Sequence, residues 1–154
     1  EVVVRLLEQA KQTLATAESC TGSLIAHRIT NVSGASEVFL AGYVAYANSA
    51  KSDILNVDSK LIDKHGAVSE AVARAMADGA RTRAGSTFGL ATTGIAGPGG
   101  GSDEKPVGTV YIALASRDSE TVVRKLFFPT DRETFKQLAA QTALDLLRRR
   151  LLKE

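Results

Sequence analysis

The chain has 154 residues, 44% hydrophobic and 23% charged, a balance that suits one domain with a good core. A net charge of +2 from 19 basic and 17 acidic residues is too even to point to nucleic acid. No apolar run approaches the roughly 20 residues of a membrane span, and the single Cys excludes an internal disulfide. The start, Glu1-Val-Val-Val-Arg-Leu-Leu-Glu8, has no secretory pattern, so the cytoplasm is the expected compartment. Its lack of Met is expected of a trimmed start or of a piece of a longer protein.

Glu1 to Thr13 has the period of an amphipathic helix, with Val3, Leu6, Leu7 and Ala10 on one face. Leu14 to Ala17 reads as a buried strand. It runs into the small polar turn Glu18-Ser-Cys-Thr-Gly22, and a helix is expected from Gly22 to Thr30. Val38 to Tyr46 is a continuous apolar run and predicts a central strand buried on both faces. Asn48 stands where an N-cap belongs, ahead of Lys51, Ile54 and Leu55, and Asp58 caps a short helix ending at His65-Gly66.

Ser69 starts a helix to about Ala84, with Val72, Ala75, Met76 and Ala80 as its buried stripe. Thr87 to Thr93 is a strand, Gly94 to Gly108 a glycine-rich loop, and Val110 to Ala115 another buried strand. Arg117 to Glu120 is a hairpin turn into Thr121–Phe128, where Arg124 and Lys125 suit a sheet edge. Thr130-Asp-Arg-Glu133 reads as a capping box for a helix to about Leu152, with Phe135, Leu138, Ala143, Leu146 and Leu147 facing the sheet. Arg148 to Arg150 complement the dipole at its end. About five strands with helices between them predict an α/β fold: a three-layer α/β/α sandwich on a mixed sheet, in one domain spanning residues 1–154.

A Ser at a strand-to-helix turn is held out of the sheet beside the unpaired N–H groups of the new helix, which can stabilise an oxyanion. Ser19 is therefore a candidate nucleophile; the alternative is that Ser19 or Thr21 simply caps the helix. Lys51 falls in the first turn of the next helix, where the dipole and partial burial both favour a neutral amine. Such an amine can take a proton from Ser, and Tyr46 can orient it or relay a proton. Equally, Tyr46 can be a core aromatic and Lys51 a solvated surface residue. Cys20 is a second candidate nucleophile, with Lys51 and Glu18 assisting, or a small buried residue. The loop Gly94–Gly108 lacks a Walker A Gly-Lys-Ser/Thr and is followed by a strand, which does not suit a dinucleotide fingerprint. Its glycines can still form an anion nest, with Lys105 adding charge; otherwise it is a flexible connection. His27 and His65 have no partners at metal-ligand spacing, so neither a metal nor a cofactor is expected.

Four stretches together are specific: Ala17-Glu-Ser-Cys-Thr-Gly22, Tyr46-Ala-Asn-Ser-Ala-Lys51, His65-Gly-Ala-Val-Ser-Glu70, and Gly94-Ile-Ala-Gly-Pro98 through Lys105-Pro-Val-Gly-Thr-Val110. In order and over nearly the whole chain, they resemble the CinA C-terminal domain family, which includes the stand-alone nicotinamide-nucleotide amidohydrolases of the PncC type. The resemblance implies hydrolysis of the carboxamide of nicotinamide mononucleotide to nicotinate mononucleotide and ammonia. It implies a catalytic set of Ser19, Tyr46 and Lys51, and with the glycine loop it sets the expected substrate contacts at Glu18, Thr21, Gly22, Asn48, Gly94, Ala96, Gly97 and Lys105. The family's first motif often ends in two glycines, where this chain has Ser23, a change that can alter the turn. The Asn-Glu-Ala-Lys of some relatives is Asn48-Ser-Ala-Lys51 here. Some members carry a further N-terminal domain acting on pyridine or ADP-ribose nucleotides, an activity not expected of this sequence.

The expected partner is a small pyridine nucleotide, with neither membrane nor nucleic acid, and the expected assembly is a homo-oligomer, a symmetric dimer first of all. The rival function is a non-catalytic nucleotide-binding or assembly domain, in keeping with the family's association with competence and DNA damage. DNA binding through Arg148–Arg150 is a third reading.

Overall fold

Two kinds of side chain alternate along the inner strands and divide the molecule into layers. The computed structural model describes residues 1–154. In chain order the elements are α1 (Val2–Ala10), β1 (Leu14–Glu18), α2 (Leu24–Thr30), a 3-10 turn (Ala35–Glu37), β2 (Phe39–Val44), α3 (Asn48–Leu55), α4 (Ser59–His65), α5 (Glu70–Ala84), β3 (Phe88–Gly94), β4 (Thr109–Ser116), β5 (Ser119–Phe127) and α6 (Arg132–Leu152). They form one sheet in the order β2-β1-β3-β4-β5. β1 lies parallel to β2 and β3, whereas β4 and β5 continue antiparallel, so the sheet is mixed. Leu14, Leu90, Val110 and Ile112 point to the face covered by α1, α2 and α6, through Leu7, Ile25, Phe135 and Leu147. Ala15, Ala17, Ala91, Ala113 and Ala115 point to the other, covered by α3, α4 and α5 through Leu55, Ile62, Val72 and Met76. This is the expected α/β/α sandwich, with a thick leucine layer on one side and a thin alanine layer on the other.

The thin layer brings α5 very close. A Cβ on Gly89 of β3 would lie 2.1 Å from the Ala77 carbonyl of α5, and one on Gly79 of α5 would lie 2.1 Å from the Leu55 carbonyl of α3. Only hydrogen atoms fit between these backbones, so both positions need glycine for space. Ala73 and Ala77 join Val72, Met76 and Ala80 in the buried stripe of α5, while Ala75, expected there, is half-buried.

The structure corrects several expected details. β2 is an edge strand and not a central one: its residues alternate between half-buried and exposed, and Leu40 and Val44 stay about half exposed. A bulge at Leu40 shifts its register against β1, and the strand stops at Val44, leaving Tyr46 in the following loop. Ala47 occupies the N-cap of α3 without a side-chain bond, so Asn48 is the first helical residue and is exposed. α2 begins at Leu24, two residues late. At α6 the cap is Asp131, whose carboxylate accepts the Thr134 N–H at 2.9 Å, one residue on from the expected Thr130 box. On α6, Leu138 is exposed, and Ala139 and Ala140 face the core beside Phe135 and Ala143. The cap expected at Asp58 forms, accepting from Lys60 N–H, and Ser69, the expected start of a helix, caps α5 by accepting from Val72 N–H. No helix is long and apolar enough to cross a membrane.

If the α5–sheet approach sets the thickness of the alanine layer, Gly89→Ala must push α5 outward. The expected loss is about 1–3 kcal/mol of unfolding free energy, read by urea denaturation. Gly85, whose Cβ would meet nothing within 4 Å, has no such steric clash, but its φ of 68° makes it a separate, backbone-strain control.

Candidate active site

The three parallel strands end at the same edge of the sheet, and each delivers one part of a cavity of about 250 Å³. β1 runs directly into Ser19, whose N–H still bonds the Thr92 carbonyl of β3 at 3.1 Å. The chain then turns, with Gly22 N–H donating to Ser19 C=O at 3.1 Å. Gly22 (φ 55°) and Ser23 (φ 77°) are both left-handed, so Ser23 takes a conformation that a glycine takes without strain.

Glu18 fixes this turn. Its Oε1 accepts the Thr21 hydroxyl at 2.7 Å and Ile25 N–H at 2.8 Å, and its Oε2 accepts Ala26 N–H at 3.1 Å. Thr21 Oγ1 also lies 2.7 Å from Thr92 Oγ1. Glu18 and Thr21, expected at the substrate, are thus buried braces between β1, α2 and β3. The expected oxyanion donors change as well. The N–H groups of Ile25 and Ala26 are taken by Glu18, and those of Leu24 and His27 by Thr21 C=O and Ser23 C=O. In the turn, the amides without an oxygen acceptor in the protein are those of Cys20, Thr21 and Ser23; the first two, next to Ser19 in the chain, lie against the Cys20 sulfur.

Lys51 comes from the first turn of α3 and is only 1% exposed. Its Nζ donates to the Tyr46 carbonyl at 3.1 Å and to Ser19 Oγ at 3.4 Å. No carboxylate stands within ion-pair distance of it. Burial lowers its pKa below the ordinary 10.5. Cys20, buried in the apolar cluster beside it, has its thiol pushed up to about 12, so at neutral pH it offers neither a thiolate nucleophile nor a counter-charge.

Tyr46 divides its contacts. Its carbonyl holds Lys51, whereas the residue as a whole is 62% exposed and its hydroxyl accepts from Arg132 Nη2 at 3.1 Å. Arg132 Nη1 also donates to the Gly97 carbonyl at 2.8 Å. Arg132 was not anticipated from sequence. The available signal is a cation at the first position of a helix, where it opposes the dipole.

Ser19, Cys20, Tyr46 and Arg132 line the cavity with the stretch from Gly94 to Gly100. Of the expected substrate contacts, Gly94, Ala96 and Gly97 reach it; Gly22 and Asn48 are exposed outside it. The N–H groups of Ala96, Gly97, Gly99 and Gly100 have no acceptor in the protein. Lys105 is turned away: its ammonium donates to the His65 carbonyl at the end of α4 and lines a separate cleft of about 850 Å³ between α4, α5 and β4. Nowhere do three His, Cys, Asp or Glu side chains gather as a metal site.

The pattern of the CinA C-terminal domain matches residues 1–151. A CinA-like protein of Geobacter sulfurreducens is 57% identical over 150 residues, which are 97% of this chain and 36% of the relative. The chain therefore spans about a third of the length of that relative. A competence-damaged protein (CinA) superfamily structure from Klebsiella pneumoniae is 33% identical with a TM-score of 0.94, covering 99% of this chain and 95% of that one. A competence/damage inducible protein from Agrobacterium tumefaciens is 38% identical with a TM-score of 0.89, covering 96% and 94%.

A buried amine without a counter-ion costs stability, so Lys51→Met is expected to stabilise the fold by about 1–4 kcal/mol near neutral pH. The sign of the pH dependence follows from linkage. Between the lowered pKa of folded Lys51 and 10.5, the unfolded chain holds a proton that the folded chain has released, so wild-type stability gains from Lys51 as pH rises through that window. Denaturation of both proteins across pH 7 to 10 checks this: the advantage of Lys51→Met should shrink as pH rises, and a constant gap would refute it.

Proposed function

The chain belongs to the CinA C-terminal domain family, and from that premise and the site geometry we propose that it is a nicotinamide-nucleotide amidohydrolase working through Ser19 and Lys51. The observation that carries the reading is the contact of a buried, carboxylate-free Lys51 amine with Ser19 Oγ at 3.4 Å, at the wall of a cavity rich in free amide donors. In its neutral form Lys51 accepts the Ser19 hydroxyl proton as Oγ attacks the carboxamide carbon. The resulting oxyanion is held by the N–H groups of Cys20 and Thr21. Lys51 returns the proton to the amide nitrogen, the C–N bond breaks, and ammonia leaves. Water then adds to the acyl-Ser19 ester, again giving its proton to Lys51, which passes it to Ser19 Oγ as the acyl C–O bond breaks; the acid product ionises and departs as the carboxylate.

The free amides of Ala96, Gly97, Gly99 and Gly100 suit the anionic end of a nucleotide, since left-handed Gly97 and Gly100 let the backbone approach a ligand closely. A Cβ at Gly97 would come 2.4 Å from Val107 Cγ1, so this segment has no slack to spare for a larger residue.

Ammonia release from nicotinamide mononucleotide tests the reading, with wild type and Ser19→Ala side by side. Turnover is expected in wild type, with a loss of at least ~10³-fold in Ser19→Ala at retained fold. Cys20→Ala should keep most activity. The rate should climb with pH as Lys51 deprotonates and level off above its lowered pKa. Absence of turnover in wild type at high enzyme concentration would favour a non-catalytic nucleotide-binding domain.

A further inference from the structure

We propose that the Tyr46 side chain and Arg132 form a clamp for the phosphate of the substrate, so that Tyr46 serves substrate binding through Arg132 and serves Lys51 only through its backbone. This rests on the amidohydrolase reading above and assigns the anion end of that site.

Three observations point the same way. The first is the split in Tyr46. A proton relay needs the phenol at the amine, yet both protein contacts of Lys51 Nζ are to the Tyr46 carbonyl and Ser19 Oγ. The phenol hydroxyl instead bonds Arg132, on a residue that is largely exposed. A Tyr46 without its hydroxyl still presents the carbonyl that holds Lys51.

The second is Arg132 itself. It opens α6, where the dipole disfavours a cation, and it pairs with no carboxylate. Two of its donors are spent on neutral oxygens, Tyr46 Oη and Gly97 O, which orient the guanidinium without neutralising it. Its remaining N–H groups are those of a planar fork suited to a phosphate. The third is its setting. The same cavity wall carries the unpaired amides of Ala96, Gly97, Gly99 and Gly100. A fixed cation beside four free amide donors calls for an oxyanion with several acceptor oxygens, and a phosphomonoester supplies it.

The experiment compares nicotinamide mononucleotide with its dephosphorylated riboside for wild type, Tyr46→Phe, Arg132→Met and Arg132→Lys. Loss of one charge-assisted bond to phosphate should raise KM for the nucleotide ~10–100-fold in Arg132→Met, with a smaller rise in Tyr46→Phe. The kcat should stay within a few-fold and the pH profile should not move. The preference for nucleotide over riboside in kcat/KM should fall in step, and Arg132→Lys should recover part of it. The double variant should be no worse than Arg132→Met alone, because the two act as one unit. A kcat loss or a shifted pH profile in Tyr46→Phe at unchanged KM would place the phenol on Lys51 and overturn the proposal. If wild type hydrolyses neither substrate, the reaction reading fails by itself, and the clamp is judged by calorimetry with inorganic phosphate. Binding to wild type that Arg132→Met loses upholds it; equal binding, or none to wild type, overturns it.

Discussion

The position of Ser19 depends on a carboxylate that never meets the cavity. Glu18 ends β1 and would, on its own, be an acid buried in a sheet. By accepting two amides from the start of α2 and one hydroxyl from the turn, it satisfies itself and welds strand, turn and helix into one piece. Buried acceptors with three good donors are inexpensive, whereas the same group with one donor removed is costly. The two-residue left-handed corner at Gly22 and Ser23 is therefore held from both sides. The first helical amides are consumed by this brace, so the amides beside Ser19 that no protein oxygen takes are those of the turn itself, Cys20 and Thr21 among them.

The same economy runs through the rest of the site. The carboxyl ends of β1, β2 and β3 lie side by side and lead into Ser19, the Tyr46 loop and the Gly94 loop. From β1 the chain passes to β2 through α2 on one face, and from β2 to β3 through α3, α4 and α5 on the other. A crevice beyond the carboxyl ends of parallel strands, where the connections part to opposite faces, is the natural ligand position in such sheets. The thin alanine layer matters here too. It lets α5 press close to the sheet and α3 close to α5, and α3 brings Lys51 in behind Ser19 with its amine buried.

Much of this was legible in the sequence, and the failures have physical causes. Strand, turn and helix around Ser19 could be read because periodicity changes sharply there, and Asp58 could be read as a cap and Ser69 as a helix start because their side chains act locally. The run Val38–Tyr46 misled because continuous apolar character does not tell a strand with two covered faces from an edge strand whose outward residues stay exposed. Glu18 and Thr21 misled because the direction of a side chain at a strand end is decided by the partner it finds, here α2 and Thr92, and that partner is distant or follows a turn. Arg132 lies 113 residues from Ser19 and shows only as a charge in the wrong place on a helix. Lys105, a cation in a glycine loop, is drawn instead to the bare carbonyl at the end of α4.

Two basic side chains serve the site, Arg132 in the cavity wall and Lys51 buried behind Ser19, and their chemistry separates their work. Lys51 can lose its proton, and burial favours that loss; position 132 carries a guanidinium, which does not serve as a base. The separation matters because a phosphate brought near a buried amine would draw the proton back onto it and remove the base. A permanent guanidinium and a row of amide dipoles at the mouth offset that field where the anion would sit. The amine behind Ser19 can then stay neutral while an anionic substrate is bound. A lysine at position 132 would supply charge but not the fork that also grips Tyr46 and Gly97, and an arginine at position 51 could not act as a base at all.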